Sequence, residues 1–257
     1  MALVVIVIQT FLGRAEEVLW CRSLSVDQGL SQNMVTAMAQ DSQGYLWFGT
    51  LGGLSRWNGY EFASFPHVRD DPATPGDSEI LALHRDQGGT LWAGTRRGVD
   101  RFRPAEGAFE RWDSRASAPK GGNTVPAAMI TSDRAGRLWF ASFTDSRLHR
   151  LEPHLGRETV HPLPDPRPRR ITALHVDQSD RLWVATQPPE EAAAPGDLGF
   201  RLYLWDGCSE IGDGPLPVPQ QPFRLEETGG RVLTLLEDRV GRLWIGLNGG
   251  GLLRFDP

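Results

Sequence analysis

The chain has 257 residues, with 27 Lys plus Arg against 32 Asp plus Glu, a net charge of −5 and two cysteines. This mildly acidic balance, whose densest basic cluster is Arg167-Pro-Arg169-Arg170, argues against a nucleic-acid surface. Cys21 and Cys208 are too few for a disulfide framework or a thiolate zinc set. They read as two separate thiols, with one bridge in an oxidising compartment as the alternative.

Residues 1–15 open with the apolar run Ala2–Leu12 and end on Gly13-Arg14-Ala15. The run is too short to span a bilayer but suits the central region of a signal peptide, and Gly13-x-Ala15 offers a small-x-small cleavage site. The expectation is export, with residues 16–257 as the mature domain. The competing reading is a buried first strand. Val18–Leu24 is the next strand-like segment.

From residue 35 onward one pattern recurs five times. An inner strand is followed by Asp, a tight turn, Leu-Trp, a small residue and, in four of the copies, a hydroxyl; the fifth has Leu247 there. A further strand then begins. The Asp residues are Asp41, Asp86, Asp133, Asp177 and Asp238; the tryptophans are Trp47, Trp92, Trp139, Trp183 and Trp244. A period in the forties built from short strands is the signature of β-propeller blades.

Within each copy the residue three after the Asp is Gly44, Gly89, Gly136, Asp180 or Gly241, which predicts a positive-φ residue closing a hairpin. The five Asp residues are therefore expected to be structural turn formers, and the five Trp residues interblade core. Gly49, Gly94, Ala141, Ala185 and Gly246 follow the Trp by two, so a neighbour can approach closely there. The third strands carry an arginine column, Arg56, Arg101, Arg150 and Arg254, which Leu204 breaks in the fourth copy.

The fold predicted is all-β: a propeller of five four-stranded antiparallel blades. The last copy stops after its third strand. Either Val18–Leu24 supplies the missing outer strand and closes a small ring, or the chain is the leading part of a larger propeller.

Residues 29–59, GLSQNMVTAMAQDSQGYLWFGTLGGLSRWNG, resemble the two-component regulator propeller repeat, and the resemblance extends over residues 18–257. It implies an extracytoplasmic input domain of a hybrid sensor histidine kinase, of a kind usually seven-bladed and followed by a membrane helix and kinase. Those later parts are missing here, so the expectation is an isolated or truncated sensing module. Its implied partners are a small-molecule or carbohydrate-like ligand, and a membrane sensor kinase or further blades.

Variable loops lie on one rim of such a scaffold, and binding chemistry is expected there. The candidates are Asn33, Arg96, Arg97, Asp145 and Asn248, with Gln32 and His67 behind them. Arg96-Arg97 occupies a tight inter-strand loop where a guanidinium pair would hold a carboxylate or uronic acid. His84 and His175 share an inner-strand position, but a metal pair would need adjacent blades, so neither a metal nor a cofactor is expected. No Ser-His-Asp or Cys-His arrangement is readable. The alternatives to a sensing module are a propeller lyase or hydrolase, and a protein-binding scaffold.

Overall fold

The computed structural model describes residues 3–7, 20–113, 125–143, 146–164, 169–188, 200–214, 216–219, 223–224 and 231–256. Its strands form the antiparallel blades of a β-propeller, and the contacts divide them between two compact units: Met1–Arg85 with Gly89–Trp112, and Asp86–Gly88 with Asp113–Pro257.

The first unit holds two blades. One consists of β3 (Val35–Gln40), β4 (Leu46–Thr50), β5 (Gly53–Trp57) and β6 (Phe62–Phe65); the other of β7 (Ile80–Arg85), β8 (Leu91–Thr95), β9 (Gly98–Arg103) and β10 (Ala108–Asp113). Ahead of them, β1 (Leu3–Val7) pairs antiparallel with β2 (Trp20–Leu24) in the register Leu3↔Leu24 to Val7↔Trp20. Of the two readings of the last blade, this overturns the one in which Val18–Leu24 supplies its outer strand. The β-branched run at Leu3–Val7 gives Trp20–Leu24 a ladder partner close in sequence. Leu24 then packs with Leu30 against Phe48 and Trp57 of the first blade.

The second unit holds three blades. The third is β11 (Met129–Ser132), β12 (Leu138–Ala141), β13 (Arg147–Glu152) and β14 (Arg157–Pro162). The fourth is β15 (Arg170–Val176), β16 (Leu182–Gln187), β17 (Arg201–Trp205) and β18 (Phe223–Arg224). The fifth has three strands, β19 (Arg231–Glu237), β20 (Leu243–Asn248) and β21 (Gly251–Phe255). On that last blade Leu252 is 61% exposed, whereas its counterparts Leu54, Val99, Leu148 and Leu202 are at most 1% exposed.

The motif aspartate acts as a clamp. Asp177 Oδ1 accepts from the Ser179 and Arg181 amides, both at 2.9 Å, which forms the turn; Oδ2 accepts from Trp183 Nε1 at 2.8 Å and Arg181 Nε at 2.7 Å. Asp41, Asp133 and Asp238 repeat the turn bonds and the indole bond. At Asp238 the Trp244 indole, together with the Arg242 and Val240 donors, holds the carboxyl below the usual carboxylate range. The turn-closing residues all have positive φ, from 63° at Asp180 to 90° at Gly44. One carboxylate thus fixes the turn and orients the ring that the next blade packs on.

The packing follows. Trp47, Trp92, Trp139 and Trp183 are 0–2% exposed. In the first unit Trp47, Leu54 and Phe65 meet Ile80, Leu91, Ala93 and Phe102 of the next blade. A Cβ on Gly49 would lie 2.7 Å from Ile80 Cγ2, which explains the small residue two after the Trp. The arginine column lies opposite the Trp column, as in Trp47↔Arg56 and Trp139↔Arg150, with guanidinium carbons 5.5 and 5.8 Å from the indole. Where Leu204 breaks it, Arg181 comes from the turn to stand 5.5 Å from Trp183. Four inner strands share a bulge near their start, at Val35/Ala37, Ile80/Ala82, Ile171/Ala173 and Val232/Thr234. Thr36, freed from pairing in this way, donates to the Ile80 carbonyl of the next blade at 2.6 Å.

Asp180 is more than a tolerated non-glycine. It is 4% exposed, and its carboxylate accepts from the Ser209 amide at 2.9 Å, the Ser209 hydroxyl at 2.5 Å and the Arg134 amide at 3.1 Å. It joins the third-blade turn to the 3-10 turn Cys208–Glu210. Burial alone would raise its pKa, but the Ser209 and Arg134 donors outweigh it and hold it below the ordinary value. Cys208 beside it is a buried free thiol, whose pKa burial and the Asp180 charge push up. Arg137 and Arg150 hold the same connection by donating to the Cys208, Ile211 and Gly212 carbonyls.

Two tests follow from the clamp. Asp177→Ala strips four hydrogen bonds from a buried site and strands the Trp183 indole N–H, so urea unfolding should show a loss of about 3 kcal/mol or more. A loss under about 1 kcal/mol would remove the clamp from the account. Because the folded state depresses the Asp180 pKa, its contribution is present above the ordinary carboxyl range and is lost as pH falls through the folded value. Asp180→Asn should therefore flatten the acid limb of stability against pH; an unchanged limb contradicts the role given to its donors.

Candidate functional site

The tight turns between second and third strands are built by the motif hydroxyl. Thr50 Oγ1 accepts from Gly52 N at 3.0 Å and donates to Gly53 O at 2.8 Å; Thr95 Oγ1 accepts from Arg97 N at 3.2 Å and donates to Gly98 O at 3.3 Å. Gly53 and Gly98 take φ of 128° and 127°, a conformation that favours glycine. In the second blade this turn presents Arg96 and Arg97 at the blade's edge.

Arg96 is an exposed guanidinium whose Nε pairs with the Glu79 carboxylate. That hydrogen bond and the Glu79 charge raise its pKa further. Arg97 is half-buried, and its positive charge acts on the carboxyl of Asp100. Glu79 ends a strap, residues 66–79, that crosses from the first blade to the second. Three attachments hold the strap down, and His67 braces it from within. Arg111 Nη2 donates to the Asp71, Thr74 and Pro75 carbonyls at 2.8, 3.2 and 3.2 Å. Phe109 N donates to Ala73 O at 2.8 Å, and His67 Nδ1 meets Pro75 O at 2.8 Å. Gly76 N donates to Asp100 Oδ2 at 2.7 Å.

Asp100 is the residue that sequence reading missed. It is 2% exposed on β9, and burial pushes its carboxyl up to about 7, against the pull of the Gly76 amide, Arg111 and Arg97. A Cβ on Gly76 would stand 3.1 and 3.2 Å from its two oxygens, so only glycine seats against it without displacement. The first blade has the same device in neutral form. There Ser31 N donates to Ser55 Oγ at 3.0 Å, with a partner 24 residues away as in the Gly76–Asp100 pair. The available signal was that Asp100 takes the column position of Ser55, His149, Tyr203 and Leu253, each directly before the arginine column or its Leu204 break.

The other candidates fall differently. Asn33 is engaged by its own connection, where its Oδ1 accepts from Val26 N at 3.0 Å. Gln32 is exposed, and His67 is tied into the strap. Asn248 is exposed at the end of β20, paired in register with Arg231, and lies in the other unit from Arg96 and Arg97. Asp145 lies outside the described residues. Thus Arg96 and Arg97 come together with Asp77, Glu79, Asp100 and Arg111 in the first unit.

His175 sits between β15 and β19 with Nε2 4.0 Å from Glu237 Oε2, and burial lowers its pKa. Among the described residues, no group of three or more His, Cys, Asp or Glu is gathered in the manner of a metal site, and no helix is long and apolar enough to cross a membrane.

Comparison with known proteins places this architecture. Residues 29–52 and 226–249 match the two component regulator propeller family. No curated protein matches the chain. Among solved structures, the chain is similar to the extracellular domain of a proposed hybrid two component system from B. thetaiotaomicron, with a TM-score of 0.62 at 17% identity. That match covers 88% of this chain and 27% of the other. It is also similar to virginiamycin B lyase from Staphylococcus aureus, with a TM-score of 0.59 at 14% identity, covering 86% of this chain and 69% of the lyase. A third similar structure is PorZ of Porphyromonas gingivalis, a surface component of the type-IX secretion system, with a TM-score of 0.57, 13% identity and coverage of 87% and 32%. The chain spans about a quarter of the length of the two-component structure, and at these identities the likenesses establish the fold. Both family matches fall on Asp-turn-Leu-Trp copies, the first and the fifth, so the chain carries the two component regulator propeller repeat at residues 29–52 and 226–249.

Proposed function

We propose that the chain is an extracytoplasmic, non-catalytic binding module of the sensor-input kind, which takes a carbohydrate-like ligand bearing a carboxylate and passes occupancy to a membrane kinase. The observation that carries this reading is the edge of the second blade. There a strap and a tight turn, both held by backbone bonds, present two guanidinium groups and two carboxylates on a rigid sheet. At the opposite ends of the strands the Asp clamps use their carboxylates to form short turns, which leaves little to vary for recognition.

The ligand class follows from how Arg96 is paired. It already holds a carboxylate, so the geometry accepts one, and an incoming uronate would exchange with Glu79. Glu79, once released, is free to accept from a neighbouring sugar hydroxyl. Arg97 adds a second positive charge one residue on. Extracytoplasmic location draws support from the matched repeat family and from the fold shared with an extracellular sensor domain.

A lyase or hydrolase reading is favoured by one observation, the His175–Glu237 pair, since burial keeps His175 in the neutral form a general base requires. His175 lies two residues before the clamp Asp177 and Glu237 one residue before the clamp Asp238, at the short-turn ends of the strands.

Calorimetric titration of the full chain with oligogalacturonate, against an uncharged oligosaccharide of equal length, tests the proposal. The charged ligand should bind, with an affinity that falls as salt rises, and Arg96→Ala with Arg97→Ala should weaken it by about tenfold or more, in line with lost charge-assisted bonds. Equal binding of the uncharged sugar, or binding indifferent to the double variant, overturns it.

A further inference from the structure

The strap over the second blade carries an arrangement that ligand binding does not explain. Its far end rests on a carboxyl that is almost fully shielded from water, and the hydrogen bond it receives is from a backbone amide. The first blade fills the equivalent place with a serine hydroxyl, which does the same holding without an ionisable group. A carboxyl used where a hydroxyl suffices places a proton-dependent charge under a segment that has to lift before water can reach it.

The surroundings set the direction. From the strap itself Asp77 faces Asp100 and disfavours its ionisation. From β10 Arg111, and from the tight turn Arg97, favour ionisation through their charge. Arg111 spends its Nη2 on the strap carbonyls. Of the remaining ionisable groups of the strap, His67 has its own carbonyl contact, Asp71 accepts from the Ala73 amide, Glu79 pairs with Arg96, and Arg69 and Asp70 are exposed. Burial outweighs the two cations, so the closed strap holds Asp100 protonated up to near neutrality.

We propose that residues 66–79 form a proton-operated latch: protonated Asp100 holds the strap shut across the second blade, and loss of that proton to solvent favours its release. The sign is fixed by linkage. The folded pKa is raised, so the closed form binds more protons than the open one between the ordinary carboxyl value and about 7. Closure is strongest below that window, weakens as pH rises through it, and levels off above. Because Arg96 and Arg97 border the strap, the latch would also tune the proposed recognition edge, but it does not depend on any ligand.

Hydrogen exchange of the strap amides in the full chain, corrected for the intrinsic pH dependence of exchange, tests it without ligand. Between pH 5 and pH 7.5 the wild-type protection of Gly76 and its neighbours should drop about tenfold or more, while amides of β8 hold theirs. Asp100→Asn keeps an acceptor for the Gly76 amide and should abolish that drop. As a check independent of any variant, the wild-type Asp100 carboxyl carbon followed by NMR should titrate near neutrality, in step with the Gly76 amide. A carboxyl midpoint near 4, strap protection that does not change with pH, or an equal drop in Asp100→Asn would each overturn the latch.

Discussion

The bond from a motif tryptophan to its aspartate is the constraint on which the blades rest. Trp47, Trp139, Trp183 and Trp244 all donate to the Oδ2 of an Asp six residues earlier, at 2.7–3.1 Å. The same carboxylate ties two backbone amides into the hairpin. A large ring would otherwise bury a polar N–H without a partner, at a cost that would offset part of the gain from burying its apolar area. Satisfying that N–H within the blade leaves the ring's face free for the neighbouring blade. Secondary structure, side-chain orientation and interblade packing are thereby coupled through one carboxyl group.

Variation is accommodated around this clamp. Arginine reaches the indole either from the facing third strand, as Arg56 and Arg150 do, or from the turn, as Arg181 and Arg242 do. The loss of the column arginine at Leu204 is thus covered by a residue from a different strand connection. Asp180 shows the same economy. A position that needs positive φ takes a residue able to adopt it and then uses its side chain to anchor Ser209 and Arg134. The long connection after β17 is held to the third blade by Arg137 and Arg150 through backbone carbonyls, a bonding mode that asks little of the connection's own sequence.

The two blades of the first unit show how a structural position acquires chemistry. Ser55 and Asp100 occupy the same place on the third strand and hold the same part of the preceding connection. Replacing a hydroxyl by a carboxyl leaves the tether's geometry in place, since both accept a backbone N–H, but it introduces a group whose charge burial opposes. The polar groups at the second-blade edge are therefore of two kinds: a surface ion pair, Arg96 and Glu79, and a shielded carboxyl beneath the strap, Asp100.

Much of this was legible in the residues alone. The period, the turn aspartates, the positive-φ position including Asp180, the Trp core and the small residue beside it all follow from local rules: a hairpin needs a certain backbone conformation, and a ring needs a certain space. The family resemblance rested on those same residues. The pairing of Trp20–Leu24 was not legible, because a strand records its preference for an extended form but not which edge it joins; a nearby β-branched run took it. Nor was Asp100, since an aspartate before an arginine on a strand looks like any solvated pair. Only the tertiary structure lays the strap over it, excludes water and leaves it with a backbone donor, and it is that exclusion, a property of distant segments brought together, that disfavours the charge on an otherwise ordinary carboxyl.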